Sequence, residues 1–379
     1  MEGYDLLIRA ARVVCPASGI DSPGAVAIQG DRIAVVGPDV AGNSARFLDF
    51  PDAILLPGLI DLHAHPACSG SVFGVEPDRH ILTRGTTTVV SQGDAGAGTC
   101  ENFVRDTIER SNTHVVLAIN LSSTGEAGPG GCFEHLDAID VAACVSAIER
   151  FRKHIWGIAV NTSHRCCDRT DPREVLRRGL RAAEETGVPI LFGMRRPEDW
   201  PLVEQLALLR RGDVVTYCFR STPHCIVEHG RVHPAVRAAR ERDILFDVGH
   251  GRGSFDFNVA EAALRDGFAP DTISTDLQRG HMGQTPVHDL PLVMSKLRAA
   301  GMSESDVFAA VTSRPARILG MADEIGSLNV GSRADLVLLR WRDRGEPLVD
   351  TNRQHRCRGR WKAIATIRAG RIVASDDGE

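Results

Sequence analysis

Two histidines, His63 and His65, stand one residue apart at the end of an apolar run. The stretch reads LLPGLIDLHAH over residues 55–65, so a Pro-Gly turn leads into a short segment of strand character. On a β-strand residues i and i+2 point to the same side, and both imidazoles would face one point beyond the strand. Because neutral imidazole is a common ligand of transition metals, this spacing predicts one half of a metal site.

The middle of the chain carries eight apolar runs of strand length, and amphipathic helical stretches separate them. The runs cover residues 54–63, 87–91, 115–121, 155–161, 188–193, 214–219, 244–249 and 271–276. The helical stretches, for example 172–186, 198–211 and 233–242, have apolar residues at three- and four-residue spacing. This alternation is typical of βα units. It predicts an α/β fold, a (β/α)8 TIM-like barrel over residues 55–321, with the active site at the C-terminal strand ends.

Further stretches of the chain carry a family resemblance. They are GTTTVVSQGDAG (85–96), GDVVTYCF (212–219), FDVGHGRGSFDF (246–257), TISTDL (272–277) and VTSRPARILG (311–320). Together with the HxH stretch they resemble the amidohydrolase superfamily. The similarity is greatest to deacetylase-, dihydroorotase- and D-aminoacylase-like metal-dependent hydrolases, which cleave amides or esters of small acids. The resemblance implies that Asp276, at the end of strand eight, is a metal ligand and carries the proton during hydrolysis. It also implies a small β-sandwich built from residues 1–54 and 322–379.

Three ligand positions of that subgroup are lost in this chain. Ala159 stands where the resemblance implies a carboxylated lysine on strand four. Strand five offers Gly193 or Met194 in place of a histidine, and Tyr217 replaces the histidine of strand six. A two-metal centre of the usual type is therefore not expected. The remaining set would suit a single Zn²⁺, or another divalent metal, with water in an open position.

Several other residues have alternative roles at this stage. His250, after strand seven, is either a further ligand or a residue on the substrate side, which is its place in the resembling family. Tyr217 either donates a hydrogen bond to an oxyanion or fills the space of the lost metal. Asp94 is a base, a ligand or a turn residue. His164, Cys166 and Cys167 form a conceivable soft ligand set, although the two adjacent thiols should point apart.

Arginines follow the ends of four predicted strands. They are Arg195 and Arg196, Arg220, Arg252, and Arg279. The planar guanidinium group pairs well with carboxylates. As a set these arginines predict an anionic small-molecule substrate.

The sequence thus predicts a hydrolase that cleaves an amide, cyclic amide or ester bond in a small carboxylate-bearing molecule. Asp276, His250 and Tyr217 are its candidate catalytic residues, and His63, His65 and Asp276 its candidate ligands. The first alternative is a metal-free enzyme of the same fold that hydrolyses a lactone or isomerises its substrate. The second is an inactive binding protein.

Composition excludes several other classes. The chain has 379 residues, of which 43% are hydrophobic and 25% charged, and its net charge is −5. This balance gives no basic surface for nucleic acid, and no apolar run approaches the ~20 residues of a membrane span. Ten scattered cysteines and no evident signal peptide predict reduced thiols in a cytoplasmic protein. No organic cofactor motif is found, and the resemblance implies a dimer or larger homo-oligomer.

Overall fold

The computed structural model describes residues 3–40, 42–195, 198–221, 226–356 and 359–375. One of its two large sheets is parallel, and its seven strands are neighbours in chain order. These strands are Leu59–Ala64, Thr86–Gln92, His114–Asn120, Ile155–Asn161, Ile190–Gly193, Val214–Thr216 and Leu245–Phe246. The connecting segments between them carry the helices, so the βα alternation expected from the sequence is confirmed.

Residues 271–276, the eighth predicted strand, form a segment with isolated bridges that closes the sheet into a barrel. Asp247 and Thr272 form a parallel bridge on one side, and Ala64 and Leu277 form one on the other. The amide of Asp276 donates to the carbonyl of His63 across 2.7 Å. The protein is therefore a (β/α)8 barrel of the TIM type, as predicted.

The predicted first strand, 54–63, was wrong at its start. Residues up to Pro57 belong to Ser44–Pro57, a strand of the other sheet, and the barrel strand begins only at Leu59. Gly58 lies between the two strands. A side chain there would clash with Thr87, because a Cβ would lie 2.2 Å from the hydroxyl oxygen of Thr87. The apolar run is continuous in sequence, but it serves two sheets.

Helices surround the barrel and follow ordinary start and stop rules. Pro172–Thr186, for example, begins after Asp171, whose side chain accepts a hydrogen bond from the amide of Arg173, and ends at Gly187 with φ of 71°. The described helices are Pro77–His80, Cys100–Phe103, Val141–Arg150, His164–Cys167, Pro172–Thr186, Leu202–Leu208, Pro234–Glu241, Phe257–Arg265, Leu290–Ala299, Glu304–Ala310 and Ser313–Ile318. No helix in the described ranges is long and apolar enough to cross a membrane.

The second large sheet combines strands from both chain ends in one mixed, seven-stranded arrangement. Along the sheet the strands are Arg371–Ser375, Arg360–Arg368, Leu336–Arg342, Ser44–Pro57, Tyr4–Cys15, Ile20–Gln29 and Arg32–Gly37. It has its own apolar core, which includes Ile8, Val26, Leu55 and Leu338. A separate β unit made from both termini is thus confirmed. Domain limits at residues 54 and 322 stay a prediction.

Candidate metal and active site

Three side chains converge at the mouth of the barrel. His63 and His65 end the first strand, and Asp276 ends the closing segment beside it. Asp276 Oδ1 lies 3.6 Å from His63 Nε2 and 3.3 Å from His65 Nε2. All three residues are buried, and one ligand atom from each lies within 4.8 Å of the others. This is a donor set that could hold one metal ion.

The outer nitrogen of each imidazole is held by a fixed oxygen atom. His65 Nδ1 lies 2.9 Å from Asp94 Oδ1, and His63 Nδ1 lies 2.8 Å from Thr216 Oγ1. Because the Thr216 hydroxyl donates to Asp247 across 2.8 Å, its oxygen is left to accept the Nδ1 proton of His63. In the neutral imidazoles this arrangement would direct both Nε2 lone pairs to the shared centre, as in the carboxylate–histidine–metal arrangement.

The Asp94 carboxylate accepts hydrogen bonds from two hydroxyl groups as well. Ser71 and Ser91 each donate to it across 2.6 Å. Asp94 was predicted as a base, a ligand or a turn residue. The structure places it behind His65, which it orients, and outside the group of possible ligand atoms among the described residues.

Charges at this centre are coupled. Burial disfavours the protonated imidazole of His65, but the adjacent carboxylates of Asp94 and Asp276 together raise its pKa well above the usual value. Burial likewise disfavours the charged carboxylate of Asp276, but His65 and His63 together lower its pKa. The site is therefore organised for a negative Asp276 facing positive charge.

Tyr217 lies at the same centre. Its hydroxyl is 3.4 Å from His63 Nε2 and accepts a hydrogen bond from Asn161 Nδ2, also at 3.4 Å. Its backbone has φ of 66°, a left-handed conformation that few bulky residues adopt. Burial raises the pKa of Tyr217 well above 10, so the phenol keeps its proton.

Asn161 fills the place where two family ligands are missing. Ala159 packs with Leu62 and Val90 and does not line the cavity. Asn161, two residues further along the same strand face, lines the cavity itself. A Cβ on Gly193 would come within 2.8 Å of the Asn161 carboxamide, so the glycine leaves this space to the asparagine. Asn161 was not among the residues predicted from the sequence, although the period of two from Ala159 could have indicated it.

A cavity of about 510 Å³ opens above these residues, and its wall is rich in cations. Arg220 and Arg252, which were predicted from the sequence, line this cavity. Arg165, which was not predicted, lines it too. Arg195 does not line it; its guanidinium group donates to Asp199 and to the carbonyl of Thr162. Arg279 does not line it either and donates to the carbonyl of Gly74. Arg196 lies outside the described residues.

His250 lies apart from the ligand group. Its Nε2 is 2.9 Å from Lys296 Nζ and its Nδ1 is 2.8 Å from the carbonyl oxygen of Gly251. Its ring stacks on Phe255 with centroids 4.9 Å apart. It lines a second cavity of about 440 Å³ that shares Arg252 with the first. Within the described part of the chain, the set of three histidines and one aspartate is therefore not formed.

Known proteins resemble this chain along most of its length. A sequence profile of the Amidohydrolase family matches residues 214–367. A deacetylase of Agrobacterium fabrum is 34% identical over 335 residues, which cover 86% of this chain and 81% of the relative. The chain belongs to the amidohydrolase family. A deacetylase of Enterococcus faecalis is 28% identical over 375 residues, covering 97% of this chain and 99% of that protein.

Solved amidohydrolase structures have the same architecture. The crystal structure of an adenine deaminase aligns with a TM-score of 0.88 at 28% identity, covering 97% of this chain and 99% of that one. A dihydroorotase aligns with a TM-score of 0.87 at 29% identity, covering 98% and 99%. The chain is thus an amidohydrolase, a hydrolase enzyme of the deacetylase- and dihydroorotase-like kind.

Proposed function

We propose that this amidohydrolase cleaves an amide, cyclic amide or ester bond in a small carboxylate-bearing molecule, with water activated at a single Zn²⁺ held by His63, His65 and Asp276. The observation that carries the proposal is the convergence of the two Nε2 atoms and Asp276 Oδ1. Relatives named deacetylase and dihydroorotase support an amide bond as the target.

The donor set fits zinc. Two imidazoles and one carboxylate are a common three-ligand set of catalytic zinc, which leaves one position open. Asp94 and Thr216 hold both imidazoles through their Nδ1 atoms, which directs each Nε2 toward the shared centre. When bound, Zn²⁺ would lower the pKa of a water molecule toward ~7 and polarise the acyl oxygen.

Asp276 is the proton carrier in this proposal. Its Oδ2 faces the space left by Gly251, where a Cβ would approach to 2.3 Å. From this position the carboxylate takes the proton of the attacking water and passes it to the leaving nitrogen or oxygen of the substrate. The burial of Asp276 and its contacts with two imidazoles keep the carboxylate in one place during both transfers.

Tyr217 and the arginines bind the substrate. The protonated Tyr217 hydroxyl, which Asn161 holds from one side, is available to donate to the developing oxyanion. Arg165, Arg220 and Arg252 line the same cavity and suit the substrate carboxylate. His250 lines the second cavity, which shares Arg252 with the first, and has no role in this proposal.

Zinc content and turnover test the proposal together. Purified wild-type protein and the His63→Ala and Asp276→Ala variants are analysed by mass spectrometry and assayed on N-acyl amino acids, cyclic amides and esters. We expect one equivalent of zinc per chain fewer in each variant than in wild type, and loss of turnover. His164→Ala is the matched control, because His164 lines the same cavity but is not in the ligand group.

Two results would contradict the mechanism. One is equal zinc content in the wild type and both variants. The other is full turnover in protein stripped with a chelator, which would favour the metal-free alternative acting on lactones. That outcome would agree with the Tyr217 hydroxyl, which lies 3.4 Å from His63 Nε2 in the space of a lost ligand.

A further inference from the structure

A second cluster of possible ligands lies in the wall of the active-site cavity. Glu126, Cys132 and Cys166 are all buried, and one ligand atom from each lies within 4.8 Å of the others. Glu126 and Cys132 belong to the connection after the third barrel strand. Cys166 lies in the short helix His164–Cys167 after the fourth. Residues far apart in sequence are therefore brought together at one point.

Backbone contacts fix the two connections against each other. The amide of Phe133 donates to the carbonyl of Cys166 across 2.8 Å, and the Thr170 hydroxyl donates to the carbonyl of Glu134 across 2.7 Å. A Cβ on Gly131 would lie 2.3 Å from the carbonyl oxygen of Arg165, so only glycine permits this approach. The three side chains are thus held in position by the fold itself.

The chemistry of the cluster favours a soft cation. Two sulfur atoms and one carboxylate form a set that Zn²⁺ and similar ions prefer over Mg²⁺ or Ca²⁺. The three groups are buried together, and a divalent cation would compensate the charge that they carry once ionised. Glu126 and Cys166 also line the cavity, which leaves access for a water ligand.

We propose that Glu126, Cys132 and Cys166 form a second binding site for a soft divalent cation of the Zn²⁺ class, separate from the site of His63, His65 and Asp276. On binding, both thiols lose their protons to solvent and the two thiolates and the carboxylate coordinate the ion. The ion joins the two connections and thereby fixes the cavity wall that carries Arg165. This site does not depend on whether the first site binds metal.

Cobalt absorption distinguishes the two sites. Co²⁺ is titrated into reduced, chelator-stripped protein, and the near-ultraviolet thiolate-to-cobalt charge-transfer band is followed. The set of His63, His65 and Asp276 contains no sulfur and gives no such band. We expect the band in the wild type and in His63→Ala, and a band of half the intensity or less in Cys132→Ser and Cys166→Ser, because each keeps only one of the two thiolates. Cys167→Ser is the matched control and should keep the full band, because Cys167 is buried next to Cys166 but outside the cluster.

The serine variants are informative only when their stripped forms melt at the temperature of stripped wild type. X-ray absorption at the zinc edge of wild-type and His63→Ala protein gives a second measurement that needs no cysteine variant. We expect sulfur neighbours at about 2.3 Å in both proteins. Absence of the cobalt band and of sulfur neighbours in wild-type protein with titratable thiols would overturn the proposal. So would an unchanged band in a correctly folded Cys132→Ser or Cys166→Ser protein.

Discussion

Tyr217 contacts His63 through its ring and, separately, through its hydroxyl group. The phenol ring packs edge-on against His63, with centroids 5.1 Å apart, while the hydroxyl alone reaches the imidazole nitrogen and Asn161. Packing and hydrogen bonding by Tyr217 can therefore be separated, because removal of one oxygen atom leaves the ring in place. The two roles expected from the sequence, hydrogen-bond donor or space filler, differ in that atom alone.

Tyr217→Phe should lower kcat by roughly 10²- to 10³-fold, the usual effect of removing one oxyanion donor. Zinc content should stay unchanged, and KM should change little, because the lost interaction forms with the transition state. Steady-state kinetics and metal analysis measure these effects. Tyr4→Phe, at the only other tyrosine of the chain, is the control. An unchanged kcat in Tyr217→Phe would mean that the ring only fills space.

Lys296 is a buried amine beside the imidazole of His250. Burial lowers its pKa to about 8. The groups around it are His250, His281, His288, Arg252 and Asp350, which line the same cavity. Burial also lowers the pKa values of His250 and His288, so these two groups are neutral above pH 7 and do not titrate in the range that matters for the lysine.

The titration of Lys296 predicts a pH-dependent difference in stability between wild type and Lys296→Met. Between pH 8 and about 10.5 the unfolded chain holds a proton that the folded protein has released, so this group makes stability rise with pH. The rise is at most about 3 kcal/mol and is complete near pH 10.5. Lys296→Met should lack it, and urea unfolding at pH 7 to 10 measures the difference. Lys153→Met, at an exposed lysine, should keep the wild-type dependence.

At the scale of elements, the barrel strands bring the site together and the connections build its wall. The ends of strands one, six and eight carry the residues around His63, and the connections after strands three and four carry Glu126 and Arg165. Gly131 lies where these two connections meet. Its missing side chain allows the carbonyl groups of Arg165 and Cys166 to approach.

Gly131→Ala should separate the two connections, since its Cβ would clash with two backbone oxygens at 2.3 and 2.6 Å. We expect a loss of about 1–3 kcal/mol in stability and faster proteolysis within residues 121–140. Gly128→Ala is the control in the same connection, because nothing lies within 4 Å of a Cβ there. Equal melting temperatures and cleavage rates for the two variants would refute the role of Gly131.

The sequence predicted the barrel and its ligand group, but not every residue that lines the cavity. Alternating apolar runs sufficed for the barrel, and the HxH spacing brought His63 and His65 to one point with Asp276, because parallel strand ends must meet at one rim. The period of two places Asn161 on the same strand face as Ala159, but it does not show that Asn161 occupies the space left by Gly193 on the next strand. Arg195 and Arg279 follow strand ends as expected, but their guanidinium groups pair with local acceptors instead of the cavity. Contacts between distant connections, such as Cys132 with Cys166, have no local signal.

At the scale of the whole molecule, several residues of the terminal sheet belong to the barrel core, among them Leu56, Val337 and Trp361. Trp361 lies in strand Arg360–Arg368 but packs among the buried residues of the barrel, with its ring 5.3 Å from that of Phe308. Its amide donates to the hydroxyl of Ser295 in helix Leu290–Ala299 across 2.9 Å. The sheet and the barrel therefore share apolar contacts, and we expect them to unfold together.

Trp361→Ala should remove about 3–5 kcal/mol of stability, the usual cost of emptying a buried tryptophan site. Because the site is shared, urea unfolding should remain one transition at a lower midpoint by both far-ultraviolet circular dichroism and fluorescence. Phe47→Ala, at an exposed position of the same sheet, should leave the midpoint within about 0.5 kcal/mol of wild type. Two separate transitions in wild type, of which Trp361→Ala shifts only one, would show that the barrel and the sheet are independent. In that case the stability of the barrel, including the wall of its cavity, would not depend on contacts with the terminal sheet.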